Sequence, residues 1–247
     1  MFDAGLFVVD LAHMPAGNGT WPAFWSTGDV PAPHTWALYG EIDIIEGVNS
    51  INSATSRSFI TLHTNDPRTE SGVVLESCTQ KGVLGISNVA CTASSSPNDL
   101  WCGYNSQESC PNLGCGINSV SEVSFGHGFN ANGGGTYAME LTAEGRISVW
   151  FWPRGDPSLP TNLTDPSTTW ITQPGNKVAF NACPEQFKKQ RLIFDTTLWG
   201  DWAGQVFVGS SGKRGVQACQ ETVLAEDYDV SEAYWLINSL EMYTTSN

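Results

Sequence analysis

Basic side chains are scarce. Lys and Arg number 11 against 25 Asp and Glu, a net charge of −14 over 247 residues. Phosphate backbones and anionic membrane surfaces are both recognised through basic patches, so neither nucleic acid nor a membrane is expected as a partner. No apolar run approaches the roughly 20 residues of a membrane-spanning helix. The first ten residues lack the basic start of a secretory leader and alternate like a strand instead. Helical periodicity is nearly absent, and there are no internal repeats and no linker marking a second domain. The cysteines also lack zinc-type spacing: Cys110 and Cys115 fit poorly the paired short spacings with His partners that a zinc site needs. No metal and no cofactor is therefore expected.

What is present reads as β structure. Short alternating segments recur at 5–10, 39–48, 57–64, 136–142, 146–152, 189–195 and 234–243. Turn-rich stretches at 130–135 and 154–157 separate them, and 142–146 reads as a tight hairpin. One helical turn is expected at 184–189. The length suits one large domain with a sizeable core, so 1–247 is read as a single all-β unit, an antiparallel sandwich and a monomer. Seven cysteines are present, and five lie within 78–115 among Ser, Asn, Gly and Pro. That stretch reads as a long loop held by disulfides, with the odd count leaving one thiol over. Two glycosylation acceptors, at Asn18 and Asn162, add mild support for an extracellular or cell-wall location.

Three carboxylates interrupt an Ile-rich run: Glu41-Ile42-Asp43-Ile44-Ile45-Glu46, flanked by Gly40 and Gly47. Acidic residues on a packed strand are costly without a task, and the economical task is acid/base and nucleophilic chemistry. A solvated strand face and a calcium-binding surface are the alternatives; the isoleucines favour a packed strand. Strict alternation places Glu41 and Asp43 on one face and Glu46 on the other. A β-bulge at Ile44-Ile45 brings Glu46 back. The Glu41 and Glu46 backbones are then roughly 13 Å apart. Side chains leaning together would close that to about 5 Å, the separation of a retaining glycosidase. Asp43, between them, is placed to hydrogen-bond the nucleophile and to raise the pKa of the acid.

Ten tryptophans complete the pattern. Indole faces stack on sugar C–H faces, although core packing is the usual fate of any one Trp. Trp21, Trp25 and Trp36, in Gly/Pro-rich loops near the carboxylate strand, favour the sugar-binding reading, and Trp202 joins them.

The stretch Gly40–Asn49 resembles the bulged E-x-D-x-x-E signature of glycoside hydrolase family 16, and is most similar to its fungal laminarinase-like endo-β-1,3(4)-glucanases. Five further stretches agree in family order: His13–Ala23, Thr61–Thr64, Phe129–Gly135, Val149–Arg154 and Gly200–Gly204. The resemblance implies a concanavalin-like β-jelly roll with a concave cleft. It implies retaining endo-hydrolysis of β-1,3 or mixed β-1,3/1,4-glucan through a covalent glycosyl-enzyme. Glu41 would be the nucleophile, Glu46 the general acid/base and Asp43 the supporting carboxylate. Trp25, Trp36 and Trp202 match cleft positions, and His63 would stand on the neighbouring strand close to the carboxylates; a core histidine satisfied by backbone is its alternative. His13, His34 and His127 receive no role.

Three departures from the family pattern accompany the resemblance. Relatives carry several dozen residues before the segment matching 5–10, so exposed edges with apolar surface are expected here. The 78–115 insertion is longer and richer in cysteine. Asp195 and Trp199 stand where relatives tend to carry other residues. Transglycosylation through the same intermediate is one alternative activity. A non-catalytic β-glucan-binding role is another, although binders of this kind have generally lost the two glutamates.

Overall fold

The computed structural model describes residues 1–29, 39–49, 56–63, 79–80, 82–84, 91–92, 115–164, 177–181, 187–209 and 211–244. Its strands are β1 (Gly5–His13), β2 (Thr20–Gly28), β3 (Glu41–Glu46), β4 (Phe59–His63), β5 (Thr79–Gln80), β6 (Gly82–Leu84), β7 (Cys91–Thr92), β8 (Cys115–Asn118), β9 (Gly135–Leu141), β10 (Arg146–Pro153), β11 (Lys177–Asn181), β12 (Gln190–Leu198) and β13 (Leu236–Tyr243). The helices are α1 (Gly126–Ala131), α2 (Gly200–Gln205) and α3 (Gly215–Val223). A six-stranded sheet runs β13-β1-β9-β10-β11-β6 and a five-stranded sheet runs β12-β2-β3-β4-β8; β5 and β7 pair separately. Among the described residues all the strand pairings are antiparallel. This is the expected sandwich.

Period-two alternation explains how the two large sheets meet. Phe24, Ile42, Ile44, Ile45, Ile60 and Leu62 point inward from the five-stranded sheet. They meet Phe7, Val9, Tyr137, Met139, Val149 and Phe151 of the six-stranded sheet in one cluster. Each such side chain contributes on the order of 1.5–3 kcal/mol by leaving water. The opposite face of β3 is thereby freed from core duty.

Two local expectations fail. Residues 20–28 form a nine-residue strand rather than a Gly/Pro-rich loop. Pro22 suggests a loop, but it lies one residue beyond the last β2 position paired with β3, where only β12 flanks the strand. The expected turn of helix at 184–189 lies partly outside the described residues, and 187–189 are not helical; Lys189 adopts a positive φ of 51°. The three helices among the described residues are too short to impose a helical period on the sequence.

The expected hairpin at 142–146 is present. Thr142 N–H donates to the Arg146 carbonyl at 3.0 Å, closing the hairpin between β9 and β10. Gly40 takes φ +73° at the entry to β3, and a Cβ on Gly47 would lie 2.6 Å from the Phe125 ring. The two glycines that bracket the carboxylate strand therefore answer a backbone need and a packing need respectively. β13 is the outer strand of its sheet, and Leu236, Ile237, Leu240 and Met242 are 40–50% exposed there.

The side chains of the cysteine-rich stretch lie outside the described residues, and the disulfide expectation with them. Among the described residues, Cys219 is a free, buried thiol. The two glycosylation triplets differ: Thr20 is fully buried in β2, whereas Asn162 is exposed.

Candidate active site

The bulge is present and Ile44 is the inserted residue. On β2, Phe24 pairs with Ile45 and Trp25 with Asp43, so Ile44 has no partner. On β4, Thr61 pairs with Asp43 and Phe59 with Glu46, with the register shift between them. Ile44 and Ile45 both turn into the core. Glu46 then returns to the face of Glu41 and Asp43.

Cross-strand pairing lays the outer face out in rows. Thr27, Glu41 and His63 form one; Trp25, Asp43 and Thr61 the next; Ala23, Glu46 and Phe59 the third. β12 extends them with Arg191, Ile193 and Asp195. The three carboxylates keep only a little exposure: 8% for Glu41, 3% for Asp43 and 9% for Glu46. That is enough for contact with a ligand and too little for hydration of three charges.

Burial is the main cause of the proton affinities that result. It pushes the Asp43 carboxyl well up, with a further contribution from the Asp195 charge. Glu46 is pushed up to about 8, first by burial and then by Asp43. A hydrogen bond from Trp21 and the nearness of His63 act in the opposite direction on Glu46. A protonated Glu46 at neutral pH is the state a general acid needs.

His63 Nε2 stands 3.4 Å from Asp43 Oδ2 and 4.0 Å from Glu41 Oε1. It sits beside the carboxylates, as the resemblance implies, and its ring is buried. Glu41, Asp43 and His63 also form a group whose ligand-type atoms lie within 4.8 Å of one another. These donors could hold a cation, but the same groups suffice for acid/base and nucleophilic work without one.

The tryptophans divide by role. Trp25 is half-buried on the row of Asp43, and its Nε1–H donates to Asp195 Oδ2 at 2.9 Å. Trp202, on α2, stands edge-on to Trp21 at 5.8 Å and to Phe59 at 5.4 Å. Trp36 lies outside the described residues. Trp150 and Trp152 are fully buried on the outer face of the six-stranded sheet and are core.

Sequence reasoning gives no role to Asp195, Phe59 and Asn49, and for Trp21 it offers only sugar stacking. Trp21 Nε1–H donates to Glu46 Oε1 at 2.9 Å, which makes it a partner of that carboxyl as well as an aromatic wall. Asp195 was noted only as a departure. Phe59 closes the row of Glu46. Asn49, at φ 52°, accepts from Gly19 N–H and donates to the Ala203 carbonyl, both at 2.8 Å. It ties the end of the carboxylate strand to α2 and so to Trp202. The alternation of Trp21, Ala23, Trp25 and Thr27 against Phe24 and Ser26 was the signal available for β2. His13, given no role, is held by the Tyr234 carbonyl, Glu232 and Asn130, which is structural support.

Changing Trp21→Phe keeps an aromatic wall and removes the N–H. Ionised Glu46 then loses a hydrogen bond, so its pKa rises further. The alkaline limb of the kcat profile is expected to move to higher pH, with kcat/KM down about tenfold, the effect of losing one hydrogen bond to a charged group. An unchanged pH profile would remove Trp21 from the acid's environment.

The XgeA-like, catalytic GH16 domain family matches residues 1–243. The endo-1,3(4)-β-glucanase xgeA of Emericella nidulans is 36% identical over 98% of this chain and 35% of its own length. A Schizosaccharomyces pombe protein named a probable glycosidase is 35% identical over 98% of this chain and 51% of its own. The chain thus spans between a third and a half of these curated relatives. Among solved structures, Laminarinase 16A of Phanerochaete chrysosporium, with β-glucans in its donor and acceptor sites, superposes with a TM-score of 0.69 at 30% identity. The match covers 98% of this chain and 74% of that one. An elongating family 16 β-1,3-glucosyltransferase gives 0.65 at 32% identity, covering 98% and 73%. The bulged carboxylate strand, the jelly-roll sandwich that carries it and these matches agree: the chain belongs to glycoside hydrolase family 16, among its XgeA-like members.

Proposed function

We propose that the protein is a retaining endo-glycosidase acting on β-1,3 or mixed β-1,3/1,4-glucan. The observation that carries this reading is the bulge at Ile44, which sets Glu41, Asp43 and Glu46 on one nearly dry face. Trp21, Trp25 and Trp202 stand around that face and suit a neutral sugar chain, which needs stacking surfaces rather than counter-charges. The names of the relatives point to the same substrate class.

In the first step the Glu41 carboxylate attacks the anomeric carbon as its bond to the leaving oxygen breaks, and Glu46 gives that oxygen its proton. A glycosyl ester on Glu41 results. In the second step Glu46, now ionised, takes a proton from water. The water oxygen attacks the same carbon, the ester bond to Glu41 breaks, and both carboxyls regain their first states. Two inversions give net retention. Asp43 is held neutral by burial and so adds no repulsion as Glu41 approaches the sugar; its proton is available for a hydrogen bond to the Glu41 ester oxygen.

Laminarin incubated with the protein is expected to release reducing ends from within the chain, with the β-anomer appearing first by NMR. First appearance of the α-anomer would contradict the mechanism, and binding without release would favour a non-catalytic glucan binder. Products longer than the starting oligosaccharide would favour transglycosylation, in which a sugar hydroxyl replaces water in the second step. That outcome is worth measuring because one structural neighbour is an elongating glucosyltransferase.

A further inference from the structure

Asp195 is the fourth carboxylate of the outer face, and the two-step chemistry does not use it. It lies on β12 in the row of Ala23 and Glu46. Ala23 is the small residue between them in that row, flanked on β2 by Trp21 and Trp25. Its Oδ2 accepts the Trp25 Nε1–H at 2.9 Å. Its backbone carbonyl accepts the Trp235 Nε1–H at 3.0 Å, and Trp235 packs edge-on against Phe194 at 5.1 Å. The acceptor is therefore anchored from behind, and the indole is anchored by the acceptor.

We propose that Asp195 is a positioning residue that fixes the plane of Trp25 as a sugar platform beside the carboxylate strand. The inference rests on the glucan-hydrolase reading above. An indole bound only at its β-carbon rotates about two torsions. One N–H bond to a fixed carboxylate removes that freedom before the sugar arrives, so its cost does not fall on binding. A carboxylate serves better than a neutral acceptor in one respect: hydrogen bonds to charged groups are the stronger class.

The charge has a second consequence. Asp195 shares the row of Glu46 and lies one row from Asp43, with Glu41 and His63 together in the row beyond. On β12 itself, Arg191 is engaged by Asp29, and Asp201 of α2 is exposed to solvent. Asp195 repels negative charge on both Asp43 and Glu46 and so helps keep them protonated.

The test uses Asp195→Asn and Asp195→Ala in the whole chain, each checked by thermal melt. Asparagine keeps an acceptor and drops the charge. It is expected to hold KM for laminari-oligosaccharides within about twofold and to move the alkaline limb of kcat to lower pH. Alanine is expected to raise KM about tenfold with kcat within about threefold. The Trp25 indole N–H resonance, assigned with Trp25→Phe, should stay downfield in Asp195→Asn and shift in Asp195→Ala. Equal KM losses in both variants, or an indole resonance indifferent to Asp195→Ala, would overturn the proposal. The resonance needs no substrate. Were the unmodified protein inactive on laminarin, the hydrolase reading would fall while the Trp25–Asp195 contact was still tested.

Discussion

Glu41→Gln is expected to lower laminarin hydrolysis by a factor on the order of 10⁴, equivalent to about 5.4 kcal/mol of barrier. The amide has almost the same shape and no nucleophilic lone pair of comparable strength. Glu41 lies on a nearly dry face, so removing its charge also removes a desolvation cost there. The variant should therefore fold and should bind laminari-oligosaccharides about as tightly as the unmodified protein. This split, rate lost and binding kept, separates a nucleophile from a wall residue. A fall in rate below about tenfold, with the fold intact, would exclude Glu41 as the attacking group.

Glu46→Gln has the second large effect, and it acts on rate and stability in opposite senses. Without the acid, departure of an alkoxide from glucan slows by about 10²–10⁴. An aryl glycoside with a good leaving group needs no proton, so its first step should be nearly unaffected and the glycosyl-enzyme should accumulate. The alkaline limb that Glu46 sets near pH 8 should vanish with it.

Stability goes the other way. The folded pKa of Glu46 is raised above its unfolded value, so between the two the unfolded chain has released a proton that the folded chain still holds. Stability from this group is thus fully present below about pH 4, declines as pH rises, and levels off above about pH 8. Glutamine escapes that decline and can still accept from Trp21. The variant is expected to be more stable at pH 7 by about 1–3 kcal/mol, a Tm gain of roughly 3–8 °C, with the difference vanishing near pH 4. Melting curves at pH 4 and pH 7 decide it; equal Tm differences at both would mean that the desolvation account of Glu46 is wrong. The dry face that raises the proton affinity of Glu46 is the same face that makes it costly to fold.

Much of the fold was legible because period two is a local property. The alternation in 57–64, 136–142, 146–152 and 234–243 comes from residues that see one face each, and those strands appear close to where it puts them. β2 was hidden for a local reason as well: Pro22 and the flanking glycines read as loop, while what makes 20–28 a strand is pairing on both sides with partners distant in sequence. The three helices were hidden because one or two turns show no period. At the site, Glu41, Asp43 and Glu46 stood in six consecutive residues, and an extra isoleucine was enough to require the bulge. Trp21 and Asp195 were not legible in the same way. Trp21 meets Glu46 across 25 residues of chain and Asp195 meets Trp25 across 170, and no local spacing encodes either contact.

The sandwich, the carboxylate strand and the presence of a bulge are thus local matters, since each follows from which residues neighbour one another along the chain. Tertiary structure alone decided which indole would donate to Glu46, which carboxylate would anchor Trp25, and how far burial would push Asp43 and Glu46 toward their protonated forms. Those depend on what is brought alongside the strand and on how much water is left there, and neither exists until β12, β2, β3 and β4 lie side by side.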